Sequence, residues 1–148
     1  MPIITKSFSI NDREEIVGQK RNTYKECIDF LVSELDQAAK ELPANWSGDD
    51  YGRATSVAAL ALKSRILLYA ASPLMNEDVK IPEVGYTTPE PDRWQKAAKA
   101  ATEALDAAQT AGYELYNLNG DPSKNYQLIF MDNTAANKET LFARMGTS

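Results

Sequence analysis

Gly52-Arg53-Ala54-Thr55 runs directly into Ser56-Val57-Ala58-Ala59-Leu60-Ala61-Leu62-Lys63-Ser64-Arg65-Ile66-Leu67-Leu68-Tyr69-Ala70-Ala71-Ser72-Pro73, and this stretch decides the fold. Thr55 can accept from the free amides of a first helical turn, and Pro73 cannot continue the hydrogen-bond ladder, so a helix is bounded at both ends. Between those bounds the residues are apolar on nearly every side, which predicts a helix lying between other elements. Arg65 falls near its middle, where an unpaired guanidinium would cost several kcal/mol, so the sequence predicts a structural partner for it.

Two further helices flank it. Thr23-Tyr24-Lys25-Glu26 has the spacing of a capping box, and Tyr24, Cys27, Ile28, Leu31, Leu35, Ala38, Ala39 and Leu42 then recur at three- and four-residue steps before Pro43. Downstream, Asp92 with Gln95 has the same capping spacing, and Trp94, Ala97, Ala98, Ala101, Leu105 and Ala108 form one stripe with Trp94 as a core anchor. Gly112 suits a left-handed cap at that helix's end. Alanine on the inward faces permits close axial approach and antiparallel stacking. The expected fold is therefore all-α, one helical domain over 1–148, with long loops and a few short extended pieces. The first twenty residues read as an extended lead-in, and residues 76–91, with three prolines and Gly85, as a long connection of the kind that is often functional.

The 148 residues fit one domain with a single core, and 43% hydrophobic with 25% charged residues is ordinary globular composition. A net charge of −5 without a dense Lys/Arg cluster argues against nucleic acid as a partner. Histidine is absent, which removes His-based triads, His zinc sites and a His pH switch together. The single cysteine, Cys27, sits on a helical apolar face and reads as a small core residue. The N-terminal residues lack the pattern of a signal peptide, and no run has the length of a membrane span, so no direct membrane insertion by this segment is expected.

Exposed aromatic faces beside carboxylates or amides are the side chains sugar binding needs, because C–H faces pack on rings while hydroxyls take hydrogen bonds. Trp46, Asp49, Asp50 and Tyr51 supply them in one glycine-punctuated loop; the alternative is that Trp46 folds back on the helix ends and the aspartates are simply solvated. Tyr86 could contact a partner protein or pack within its own loop. Asn117, Asn119 and Asp121 alternate as some calcium ligands do, but Gly120 is misplaced for an EF-hand and a turn is the expected reading. Neither a metal nor another cofactor is predicted. For catalysis only adjacent acids such as Asp49 and Asp50 are available, and neighbours in a loop do not set the separation glycoside hydrolysis requires. A non-enzymatic role is expected.

The opening stretch resembles the GRAT-x-x-AA-x-x-LK-x-R-x-LLY-A-A-S-P-L segment of the SusD/RagB family, outer-membrane lipoproteins of Bacteroidetes that capture nutrients, mostly glycans. The resemblance extends in family order through Pro2-Ile3-Ile4, Tyr24-x-x-Cys27-Ile28-x-Phe30-Leu31, Leu35-Asp36-x-Ala38-Ala39-x-x-Leu42-Pro43, Ser72-Pro73-Leu74-Met75-Asn76, Trp94-x-x-Ala97-Ala98, Gly112-Tyr113-x-Leu115 and Glu139-Thr140-Leu141-Phe142-Ala143-Arg144. It implies a scaffold of tetratricopeptide-like helix pairs, here as part of a longer protein facing outward from the cell outer membrane. Its implied function is glycan or nutrient binding, including starch binding. Its implied partners are an oligosaccharide and a SusC-like TonB-dependent transporter. The alternative is a free-standing helical-repeat module for protein–protein interaction.

Overall fold

The computed structural model describes residues 2–77, 79–117, 120–132, 134 and 137–143. Among the described residues six α-helices follow in order: α1 (Arg13–Val17), α2 (Tyr24–Glu41), α3 (Ser56–Ala71), α4 (Pro73–Asn76), α5 (Asp92–Thr110) and α6 (Pro122–Leu128), with a 3₁₀ turn at Gly48–Asp50. Among the described residues no strand forms. The architecture is the expected all-α stack, with α3 packed against both α2 and α5.

Local chemistry fixes where the long helices begin and end. At α2 the Thr23 hydroxyl accepts from the Glu26 amide at 3.2 Å, and the Glu26 carboxylate accepts from the Thr23 amide at 2.8 Å, which completes the capping box. Hydrogen bonds from the Thr23 backbone, and then from Asn22, hold the Glu26 carboxyl below its ordinary pKa. At α3 the Thr55 hydroxyl accepts from the Ala58 amide at 3.0 Å. Helix α5 closes in a Schellman motif: the Tyr113 amide reaches the Ala108 carbonyl at 2.9 Å and the Gly112 amide the Gln109 carbonyl at 3.1 Å. Gly112 has φ +82°, a conformation that strains any residue with a Cβ.

Helix α3 runs antiparallel to both neighbours. Its first amide donates to the Pro43 carbonyl just beyond α2 at 2.9 Å. At mid-length Lys63 reaches Asp36 of α2 at 2.6 Å and Glu103 of α5 at 3.6 Å. The hydrogen bond to Asp36 raises the Lys63 pKa against the opposing effect of burial. The interfaces are lined by small residues, Ala59, Ala70 and Ala71 on α3 with Ala97, Ala100 and Ala104 on α5, all buried. Beside them Ile28, Ala70 and Tyr86 form a core cluster against which Tyr24, Val32, Ile66 and Leu67 pack.

The loop 76–91 is tied down by polar contacts. The buried Asn76 side chain donates to the Glu90 carbonyl and accepts from the Glu90 amide, both at 3.0 Å. Tyr86 bonds Met75 and Val79 through its backbone. A Cβ on Gly85 would meet Val79 Cγ2 at 2.7 Å, so glycine is what allows that approach.

Several sequence expectations are corrected. The lead-in contains a short helix, α1, preceded by a turn in which Asp12 accepts from the Ser9 amide at 2.7 Å. Helix α5 starts with Pro91 already in helical conformation, so Asp92 is its first helical residue and makes no side-chain cap. Its buried face is Arg93, Ala97, Ala100 and Ala104, and Trp94 is 47% exposed, not a core anchor. Arg93 sets that rotation. Its guanidinium donates to Asn76 and to the Thr88 carbonyl, pairs with Glu90 at 3.1 Å and lies 3.5 Å above the Tyr86 ring, so burying it leaves the charge fully partnered. Arg65 is exposed and rests on Tyr69 of its own helix, 5.7 Å from the ring centroid, because one face of α3 is not covered by the described residues. That face carries Leu62, Arg65, Leu68 and Tyr69.

Two stability measurements test this account. Thr55→Val should lower unfolding free energy by about 1–2 kcal/mol in urea, while Thr55→Ser should retain most of it, because the cap rather than the side-chain volume is at stake. For Glu26 the folded carboxyl has the lower pKa, so its contribution is complete above the unfolded value of 4.5 and is lost as pH falls through the folded value. Melting temperature should therefore decline less steeply below pH 4.5 in Glu26→Gln than in the parent chain.

Candidate functional site

The loop between α2 and α3 folds back over the start of α3. The Trp46 indole N–H donates to the Ala54 carbonyl at 2.8 Å, which anchors the half-buried ring. Asn45 donates from its side chain to the Ala111 carbonyl at 3.3 Å, and the Tyr113 hydroxyl donates to the Ala44 carbonyl at 3.2 Å. These bonds join the α2–α3 loop to the end of α5. The segment 137–143 closes the other side. Thr55 donates its hydroxyl to the Leu141 carbonyl at 3.3 Å, the Ala143 amide reaches the Gly52 carbonyl at 3.1 Å, and the Tyr51 hydroxyl donates to the Asn137 carbonyl at 3.4 Å.

The result is a cavity of about 290 Å³ whose wall includes Trp46, Tyr51, Tyr113, Asn45, Ser47 and Lys138. Three aromatic side chains thus converge with an amide, a hydroxyl and an ammonium group. The phenol hydroxyls of Tyr51 and Tyr113 spend their protons on backbone carbonyls and keep oxygen lone pairs for a ligand. The Asn137 side chain is buried and committed to its own turn, donating to the carbonyls of Ile129 and Asp132 at 3.2 Å each. Lys138 is paired with Glu114 at 2.8 Å.

Of the residues singled out in the sequence, Trp46 and Tyr51 line this cavity while Asp49 and Asp50 do not. Asp50 pairs with Arg53 at 3.1 Å, and Asp49 is exposed in the 3₁₀ turn. Sequence reasoning missed Tyr113, Asn45 and Lys138; the clue available was that Tyr113 follows a glycine cap, which turns the chain sharply back at the end of α5. Tyr86 is 8% exposed, stacked edge-on against Tyr24 with ring centroids 5.2 Å apart, and its loop-packing reading is the one its position fits. Burial raises the Tyr86 pKa, partly opposed by Arg93. Asn117 accepts from the Gly120 amide at 2.9 Å and Asp121 caps α6 by accepting from the Ser123 amide at 3.0 Å, as a turn would have them; Asn119 lies outside the described residues. Among the described residues no group of three or more acidic, cysteine or histidine side chains is placed to hold a metal ion, and no helix is long and apolar enough to cross a membrane.

No family model and no curated protein matches the chain. Solved structures do. The chain is similar to BT4246 at 32% identity over 95% of its own length and 26% of that chain, with a TM-score of 0.65. A selenomethionine form of BT4246 aligns at 34% identity over 84% of this chain and 24% of the other, with a TM-score of 0.55. The chain therefore spans about a quarter of the length of the solved chains it matches.

Proposed function

We propose that this chain is a non-catalytic scaffold and ligand-contacting module of a SusD-like nutrient-uptake protein, working at the outer face of the outer membrane with a SusC-like TonB-dependent transporter. The observation that carries the reading is the convergence of Trp46, Tyr51 and Tyr113 with Asn45 and Ser47 in one cavity. Rings that offer flat apolar area beside hydrogen-bonding groups suit a sugar residue, which is apolar on its C–H faces and polar at its edge. The likeness to BT4246 over nearly the whole chain and the SusD/RagB-like blocks in the sequence support the family part of the proposal.

The chemistry favours capture over turnover. The acids of the α2–α3 loop are adjacent in sequence, one is paired with Arg53, and neither lines the cavity. Among the described residues, two carboxyl groups facing each other across a glycosidic bond are not found in this cavity. The small volume fits one sugar ring at most, so an oligosaccharide would meet this chain at one residue and rely on further contacts for the rest of its affinity.

Titration of an oligosaccharide panel against the chain, in a Trp94→Phe background so that Trp46 is the fluorophore, tests the reading. A saturable change in Trp46 emission is expected. Trp46→Ala and Tyr113→Ala should each weaken binding at least about tenfold, a loss of about 1.4 kcal/mol, while Asp49→Asn leaves it unchanged. Binding indifferent to both aromatic substitutions would remove the cavity from the account, and release of reducing ends would remove its non-catalytic part.

A further inference from the structure

A second concavity lies on one side of the helical layer, between α2 and α5 with α3 as its floor. Its volume is about 890 Å³. Around the paired Lys63 the floor is aliphatic: Val32 and Leu67 are part-exposed, and Ile28, Ala70 and Ala100 are buried. The flanking helices supply charge: the lining carries six cationic and four anionic side chains, in a chain whose net charge is −5. The excess of positive charge is concentrated at the rims. Lys25, Lys63 and Arg93 are engaged by Asp29, by Asp36 with Glu103, and by Glu90 respectively. Lys99 approaches Glu103 only at 3.9 Å, and that carboxylate is shared with Lys63. Lys40 on α2 and Lys96 on α5 are exposed, and neither takes part in an ion pair or hydrogen bond among the described residues.

We infer that this groove is a docking site for an acidic peptide segment with aliphatic side chains, the carboxylates meeting Lys40, Lys96 and Lys99 and the aliphatic groups covering Val32 and Leu67. Lys25 and Lys40 mark the two ends of the α2 rim, about 22 Å apart at 1.5 Å per residue, which accommodates about four turns of helix or about seven extended residues. The floor distinguishes a peptide from an acidic glycan. The groove's aromatic side chain, Tyr86, is 8% exposed beneath Arg93, so it offers no ring for a sugar to stack on, whereas Val32 and Leu67, the part-exposed members of the floor, suit Leu or Val side chains. This inference is independent of the sugar reading of the Trp46 cavity.

Selection of binders from a random twelve-residue phage-displayed peptide library on the whole chain, followed by titration of the selected peptides, tests it. Enrichment of Asp or Glu together with Leu, Ile or Val is expected, with affinity falling severalfold between 50 and 300 mM salt, on the order expected for partly screened pairs. The doubly substituted Lys40→Glu, Lys96→Glu chain should bind at least about tenfold more weakly, while Trp46→Ala binds as the parent does. Both lysines are exposed and unpaired among the described residues, and a circular dichroism melt checks that the double variant stays folded. Absence of acidic enrichment, an empty selection, or binders indifferent to the double substitution would overturn the inference. So would oligogalacturonate binding that depends on the same lysines and displaces the peptides, since it would assign the groove to a glycan.

Discussion

The whole arrangement depends on the hydroxyl of Thr55. It is 3% exposed, accepts from the Ala58 amide and donates to the Leu141 carbonyl, so one oxygen both starts the central helix and receives the returning chain. Its neighbours are committed in the same way. Gly52, at φ +90°, offers its carbonyl to Ala143; Arg53 pairs with Asp50; Ala54 accepts the Trp46 indole. Every residue of Gly52-Arg53-Ala54-Thr55 therefore holds a specific partner from another part of the chain or the preceding loop. The cavity beside Trp46 exists because these partners meet there.

From that start α3 builds a layer with two unlike sides. One side is the charged groove with Lys63 fixed at its centre by Asp36 and Glu103. The helix faces turned away from the groove expose large apolar side chains: Leu62, Leu68 and Tyr69 beside Arg65 on α3, with Trp94 and, at 58% exposure, Leu105 on α5. Alanine makes this geometry possible. Its small side chain brings α5 close to α3 along Ala97, Ala100 and Ala104, and the larger residues of α5 are left at the edges of the contact.

The three long helices were legible in the sequence because their signals are local: a hydroxyl at each N-cap of α2 and α3, a glycine after α5 and prolines beyond α2 and α3. What was not legible depended on rotation and distance. Seven alanines between residues 97 and 108 give α5 a broad apolar arc, and no periodicity chooses which edge of such an arc is buried; the network of Arg93 with Asn76, Thr88 and Glu90 chooses it. Trp94 is exposed for that reason, and Arg65 because its face of α3 is not covered by the described residues. At the candidate site Trp46 and Tyr51 were visible as aromatics in a loop, whereas Tyr113 and Asn45 join them through bonds between residues 66 and 69 positions apart. The short α1 carries too few residues for any period to register.

The return of residues 137–143 to the start of α3 also sets an order of events in folding. Contacts between α2 and α3, and between α3 and α5, join helices that are consecutive long helices of the chain, so they form at low entropic cost. The bonds from Tyr51 to Asn137 and from Thr55 to Leu141 each bridge 86 positions, and they gain nothing until the helices have already brought those ends together. The long-range bonds around the aromatic cavity therefore depend on the helical layer that brings their ends together.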